Sequence, residues 1–401
     1  MSPSMKTLRQ GLRRTTEALA RQLARPTEAT PDWNELEWQL AMAVAAAHGV
    51  SPLLGTLAPW QHGAWSRFVA EQRAHVLHRH RRIQVLLERL AETAHAAGVA
   101  LVPLKGAALH GPGLYLPGDR PMADIDLLVD GRDADRAARL LLELGYEESF
   151  AQWKHRVFKP VADSPPAVLG EHRDTPVNIE LHTRIQERLP LSTVDVTARI
   201  LAPDARPGLN AYPSNGALMC HLLLHAAGNL CNRTTRLIQL NDIALLAMRM
   251  LPDDWNVLWQ ATDGEAPWWA LPPLALVARY YPHAISPDLL ARLAACCPPV
   301  LRAVARRQDL TRMSCSALWL HPLAGIEWSR SLGEARHYLA NRISPPAEAI
   351  AERQAMVRTQ LWLQGQRWVG LSRGRRMLAS LAGRAPRMDT LYVVRTALRQ
   401  P

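Results

Sequence analysis

From Trp33 to about Gly98, apolar residues recur three and four positions apart, in Leu36, Leu40 and Val44 and again in Val76, Ile83, Leu86, Leu87 and Leu90. This spacing predicts helices that each bury one face. At Gly98 the texture changes. Residues 99–104 form a short continuous apolar run ending at Lys105 and Gly106, as a buried strand would before turning into a helix. That helix starts over residues 107–110 and is broken by Gly111, Pro112 and Gly113. Residues 122–129 read as a second strand in which acids alternate with apolar residues. Residues 133–144 read as a helix with Gly145 as its cap. Residues 146–174 are mixed, with further strands expected around a loop at Asp163, Ser164, Pro165 and Pro166, and residues 177–182 are again strand-like. From Asn215 the chain returns to helices, one with Leu218, Leu222, His225 and Leu230 and one over residues 237–250. Proline pairs at 272, 298 and 345 separate the helices that follow. The pattern predicts an α+β protein: an N-terminal helical region (1–97), a small α/β core (98–205), a C-terminal helical domain (206–355) and a basic helical tail (356–401).

Composition narrows the class. Of the 401 residues, 48% are hydrophobic and 21% charged, as expected of a globular protein rather than a disordered or fibrous one. Arg, His or Gln interrupts every apolar run before it reaches the length of a membrane span, and no apolar leader follows the basic residues near the N-terminus. The expected setting is therefore the cytoplasm, with no membrane partner. The five cysteines form no Cys-x-x-Cys pair and read as reduced core thiols. The net charge of +11 suits a polyanionic ligand such as a nucleotide. Nucleic acid is a weaker candidate partner, since it rests on charge alone and no recognition motif accompanies it. Much of the excess is arginine late in the chain, including Arg367, Arg375, Arg376, Arg384 and Arg387, and reads as a solvated helical face or a tail.

The candidate chemistry lies in the α/β core. Asp124 and Asp126 are two apart on a predicted strand, so both carboxylates project from the same face. Two acids so close repel each other unless a cation neutralises them, and hard oxygen ligands favour Mg2+ or Mn2+. Glu180 stands between Ile179 and Leu181 on a later strand, where a structural residue would usually be apolar. Three such acids can hold two metal ions, an arrangement suited to phosphoryl or nucleotidyl transfer. Lys105 and Gly106 at a helix start, and Arg120 just before the acidic strand, are candidate triphosphate contacts.

These residues also carry a resemblance. The stretch Leu104-Lys105-Gly106-Ala107-Ala108-Leu109, then Tyr115, then Arg120-Pro121-Met122-Ala123-Asp124-Ile125-Asp126-Leu127-Leu128-Val129, and Leu144-Gly145-Tyr146, resembles the uncharacterised nucleotidyltransferase family of the polymerase-β-like superfamily. Asn178 to His182 look like that family's third-carboxylate strand, and His221 to Ala227 with Arg236 and Asn241-Asp242 are similar to its helical segment. The resemblance covers residues 30–355. Ala107 stands where the superfamily usually has Gly or Ser, and Asn229 where relatives often carry a second histidine.

What the resemblance implies is a polymerase-β-like core, with Asp124, Asp126 and Glu180 as metal ligands and catalytic carboxylates. Magnesium or manganese would be the cofactor and ATP or another nucleoside triphosphate the donor. The expected reaction moves a nucleotidyl group, AMP in the first instance, onto a hydroxyl or phosphate of a small-molecule or peptide acceptor, in a setting such as a natural-product pathway. His225, Arg236 and Asp242 either line the nucleotide or acceptor pocket or form a buried network bracing two helices. His182, on the same face as Glu180, either orients the metal site or packs beside it. Phosphoryl transfer at the same site, and a non-catalytic nucleotide- or protein-binding module, stay open as alternatives.

Overall fold

The computed structural model describes residues 3–57, 60–111, 113–151, 154–161, 168–260, 266–360, 362–382 and 385–399. The expected Pro112 break, the 163–166 loop and Arg384 lie outside the described residues. The protein is a mixed α+β structure with one six-stranded sheet and flanking helices. Its strands are β1 (Ala100–Pro103), β2 (Asp124–Val129), β3 (Tyr146–Ala151), β4 (His155–Pro160), β5 (Asn178–His182), β6 (Gln186–Leu189), β7 (Ser192–Asp195) and β8 (Gly208–Leu209). The main sheet runs β3-β4-β5-β2-β1-β8, while β6 and β7 form a separate two-stranded sheet. The β2–β5 and β1–β8 pairs are parallel and the other pairs of the main sheet antiparallel.

Period-two alternation divides the two faces of this sheet. Ile125, Leu127 and Val129 of β2, with Ile179 and Leu181 of β5 and Leu101 of β1, join a core that includes Ile83 and Leu90 of the Gly63–Ala96 helix and Ala137 and Leu141 of the Ala134–Glu143 helix. Each of the larger of these side chains, removed from water, stabilises the sheet by about 1.5–3 kcal/mol. The alternate residues of β2, Asp124, Asp126 and Leu128, therefore face the other way, and Leu128 belongs to the larger core built from the helices. In that core the Asn215–Cys231 and Leu237–Ala247 helices are almost wholly buried. Gly145, at φ +89°, closes the Ala134–Glu143 helix as its spacing predicts.

Three features depart from the sequence reading. The proline pairs lie at helix starts, within the first turn of Leu271–Tyr280 or at its boundary in Pro299–Arg307 and Ala347–Thr359. A proline ring fits there because the first-turn N–H groups lack intrahelical acceptors. The β6–β7 hairpin and the short β8 strand carry no alternation that would announce them. Not all of the late arginines are solvated: Arg387 is buried, pairs with Asp389 and donates to the carbonyls of Arg233 and Ser314. The helix it precedes, Met388–Ala397, buries Leu391 and Val394 against the N-terminal helices. Among the described residues, no helix is long and apolar enough to cross a membrane.

Candidate functional site

Strand register brings the polar residues together. Asp126 lies beside Glu180 and Leu128 beside His182 in the parallel β2–β5 pair, and His155 lies opposite His182 in the antiparallel β4–β5 pair. With side chains alternating, Asp124, Asp126, Glu180, His182 and His155 share one sheet face. Arg79, from the Gly63–Ala96 helix, fixes where these strands begin. Its guanidinium, 2% exposed, donates to the carbonyls of Met122, Ala123 and Thr175, just ahead of β2 and β5, and pairs with Glu171 at 3.2 Å.

Lys105 enters at the edge of this face. It opens the six-residue Lys105–His110 helix in a left-handed conformation, φ +45°, which is strained for a residue with a Cβ. Its ammonium reaches Asp126 Oδ1 at 2.7 Å, and His182 Nε2 approaches the same oxygen at 3.0 Å. Burial alone would raise the Asp126 pKa, but Lys105 and the His182 hydrogen bond more than offset it and hold the carboxyl well below its usual range. Burial likewise works to lower the Lys105 pKa, and the carboxylates, Asp126 foremost, shift it upward overall. Asp124 has no such partner. Burial, then repulsion from Asp126 and Glu180, pushes it up to about 7. Lys105 serves all three carboxylates; burial works against a charged His182, but its hydrogen bonds to Asp126 and Glu180 raise its pKa, and Arg236 adds charge toward Asp124.

The histidines complete the surroundings. His182 Nε2 is also 3.7 Å from Glu180 Oε2, and His155 Nε2 is 3.6 Å from that oxygen. Burial lowers the His155 pKa to about 4, so its ring is neutral. A cavity of about 140 Å³ opens between this face and the Asn215–Cys231 helix, lined by Lys105, Glu180, His155, His182, His221 and His225. The buried His221 shares a hydrogen bond of 2.6 Å between its Nδ1 and the Tyr212 hydroxyl. Burial holds its pKa well below the ordinary value. His225 accepts from Asn229 Nδ2 at 3.1 Å and turns its Nδ1 toward Glu187 at 3.8 Å. Asn229 therefore steadies His225 from the position where relatives often carry a second histidine.

The other sequence candidates fall elsewhere. Arg120 and Asp242 are committed to each other by a bidentate pair, Nε–Oδ1 at 2.8 Å and Nη2–Oδ2 at 2.7 Å, and both are buried. Tyr115 donates to Asp242, Asn241 to Tyr115, and Tyr281 to Asn241. This network ties the segment before β2 to the Leu237–Ala247 helix. Gly106 lies against it, since a Cβ there would meet Arg120 Nη1 at 2.4 Å. Arg236 is exposed at the start of the Leu237–Ala247 helix, and its charge favours the ionised form of Asp124.

The sequence reading missed Arg79, His155, Glu187 and His221 as individual site residues, as well as Lys154, which lines the cavity and pairs with Glu187. His155 enters through the register of β4 on β5, which no local spacing encodes, whereas a buried arginine on an otherwise apolar helix face was a legible signal at Arg79.

Fold and site together define an α+β protein that gathers carboxylates, a lysine and histidines over a small cavity. Residues 34–281, more than half of the chain, match the family described as uncharacterised nucleotidyltransferase, and the chain belongs to that family. Membership implies a nucleoside triphosphate as donor substrate. No curated protein and no solved structure matches the chain.

Proposed function

We propose that the protein transfers a nucleotidyl group, AMP from ATP, to a hydroxyl or phosphate oxygen of a small-molecule or peptide acceptor, on a core of the polymerase-β-like kind. The observation that carries the reading is the β2–β5 register, which sets Asp124 and Asp126 beside Glu180 on one face with Lys105 against them. The donor set fits Mg2+ or Mn2+: burial, with repulsion from Asp126 and Glu180, raises the Asp124 pKa, and three carboxylate groups offer hard oxygen ligands on one face. Bound there by Asp124, Asp126 and Glu180, such ions would supply charge neutralisation and Lewis acidity.

In the proposed reaction the acceptor oxygen attacks the α-phosphorus. The bond to the bridging oxygen of the β-phosphate breaks, and pyrophosphate leaves with that electron pair. Glu180 takes the acceptor proton. Lys105, released from Asp126, places its ammonium on the triphosphate, and Arg236 adds a second positive charge. The neutral His221 ring lines the cavity and helps orient the acceptor there.

Incubating the protein with an acceptor mixture and ATP labelled at either the α- or the γ-phosphate tests this directly. Label from the α position alone should reach the acceptor. Transfer from the γ position would replace the reading with phosphoryl transfer on the same residues. A protein that neither transfers label nor gains thermal stability with nucleotide and Mg2+ would be a non-catalytic module.

A further inference from the structure

His155 is costly as it stands. Its side chain is 12% exposed, among the described residues its Nδ1 is buried without a hydrogen-bond partner, and its Nε2 stands 3.6 Å from Glu180. An imidazole nitrogen buried without a hydrogen bond loses its hydration with nothing in return. Its tip is nevertheless aimed at a carboxylate and a second histidine. One ligand atom from each of His155, Glu180 and His182 lies within 4.8 Å of the others.

The spacings are those of ligands around a single ion. Metal–ligand bonds of about 2.0–2.1 Å in a tetrahedral arrangement put neighbouring ligand atoms ~3.3–3.4 Å apart. Here the separations are 3.6 Å for His155–Glu180 and 3.7 Å for His182–Glu180, with Asp126 Oδ1 a further 3.0 Å from His182 Nε2. The strands fix these atoms without loops. His182 and Glu180 are two apart on β5, and His155 faces His182 across the β4–β5 ladder.

We propose that His155, Glu180 and His182 form a binding site for a divalent transition-metal ion of the Zn2+ or Mn2+ class, alongside the carboxylate site of the proposed reaction. Two imidazoles and one carboxylate select such ions over Mg2+, which prefers oxygen and gives up its water reluctantly. Asp126 Oδ1 lies against the same His182 Nε2 and stands ready as a fourth ligand, their hydrogen bond giving way as that nitrogen loses its proton to bind the ion. The site shares Glu180 with the proposed reaction, yet it stands on the His155 and His182 geometry and does not require nucleotide transfer.

The test is metal binding to the full chain, stripped of metal and free of any histidine tag, without nucleotide. Titrations with Zn2+, Mn2+ and Mg2+ should show one equivalent of transition metal bound on the order of 100-fold tighter than Mg2+. Co2+ should give visible absorption bands characteristic of nitrogen ligation. His155→Ala should weaken Zn2+ binding by ~100-fold, since losing even an outer partner of a ligand costs 10–100-fold. As the His155 side chain makes no hydrogen bond among the described residues, this variant should fold with an unchanged circular dichroism spectrum, and His155→Gln provides a second variant closer in size. Wild-type protein with no preference over Mg2+, or Zn2+ affinity retained in both variants, would overturn the proposal. Either failure leaves the α-label experiment in Mg2+ to be decided by itself, and absence of label transfer leaves the metal titration intact.

Discussion

Two clusters of buried charge meet the chain at neighbouring residues: Lys105 touches one and Gly106 packs against the other. Around Arg120 and Asp242, both carboxylate oxygens are engaged by the bidentate arginine and Tyr115, and Asn241 and Tyr281 extend the network. Around Asp126, Lys105 and His182 face three carboxylates, the neutral His155 side chain has no hydrogen bond among the described residues, and a cavity opens beside them. The closed cluster spends its polar groups on one another and so holds the fold. The open one leaves capacity for a ligand. The difference separates the two kinds of candidate that sequence spacing had grouped together.

Substitutions should split along that line. Asp126→Asn should lower kcat for nucleotide transfer by on the order of 10³-fold, while the melting temperature moves less than for a variant of the closed cluster. A steady-state assay with a parallel thermal melt checks this, and a large loss of stability with activity retained in the folded fraction would reverse the assignment. Asp242→Asn leaves Arg120 buried without its counter-charge and should destabilise the protein by about 3–5 kcal/mol in urea unfolding. If Asp242→Asn instead spared stability and raised the KM for nucleotide, the closed cluster would belong to the binding site.

The helical side supplies a neutral contrast to both clusters. His48 is fully buried, accepts from the Leu237 N–H at Nδ1 and so donates from Nε2 to Ser316, 2.8 Å in each case. Burial, with a smaller contribution from Arg236, lowers its pKa to about 3. Between that value and the ordinary 6.5 the unfolded chain binds the proton that the folded one refuses. Its contribution to stability is thus complete above pH 6.5 and falls progressively toward pH 3. Urea unfolding across this range should show a decline that is shallower in His48→Gln, and equal slopes in the two proteins would remove His48 from the explanation. The smallest effect should come from Gly106→Ala, where the new Cβ forces Arg120 to shift and should cost about 1–3 kcal/mol. Melting of this variant alone and combined with Asp242→Asn checks it, and full additivity would show that Gly106 does not act through Arg120.

Much of this was legible before any coordinates. The alternation at Asp124-Ile125-Asp126 encodes a two-faced strand, and the acid at Glu180 between apolar neighbours marks the same face of a second one. Spacing alone could not choose between site and brace for Arg120 and Asp242, because that depends on the other residue lying within reach, 122 positions away in sequence. His155 and His221 arrive through strand register and helix docking, which are long-range properties. The left-handed backbone at Lys105 was also out of reach, since strain there is imposed by surroundings that the local sequence does not describe.

The central claim is that the open cluster moves a nucleotidyl group. Mass spectrometry of an unbiased acceptor mixture, incubated with ATP and Mg2+ and either the wild-type chain or Asp126→Asn, tests it most directly. The account predicts an acceptor that gains the mass of one nucleoside monophosphate residue with the wild-type protein and not with the variant. A gain of a phosphoryl group alone, or the same nucleotidyl product formed equally by Asp126→Asn, would contradict it.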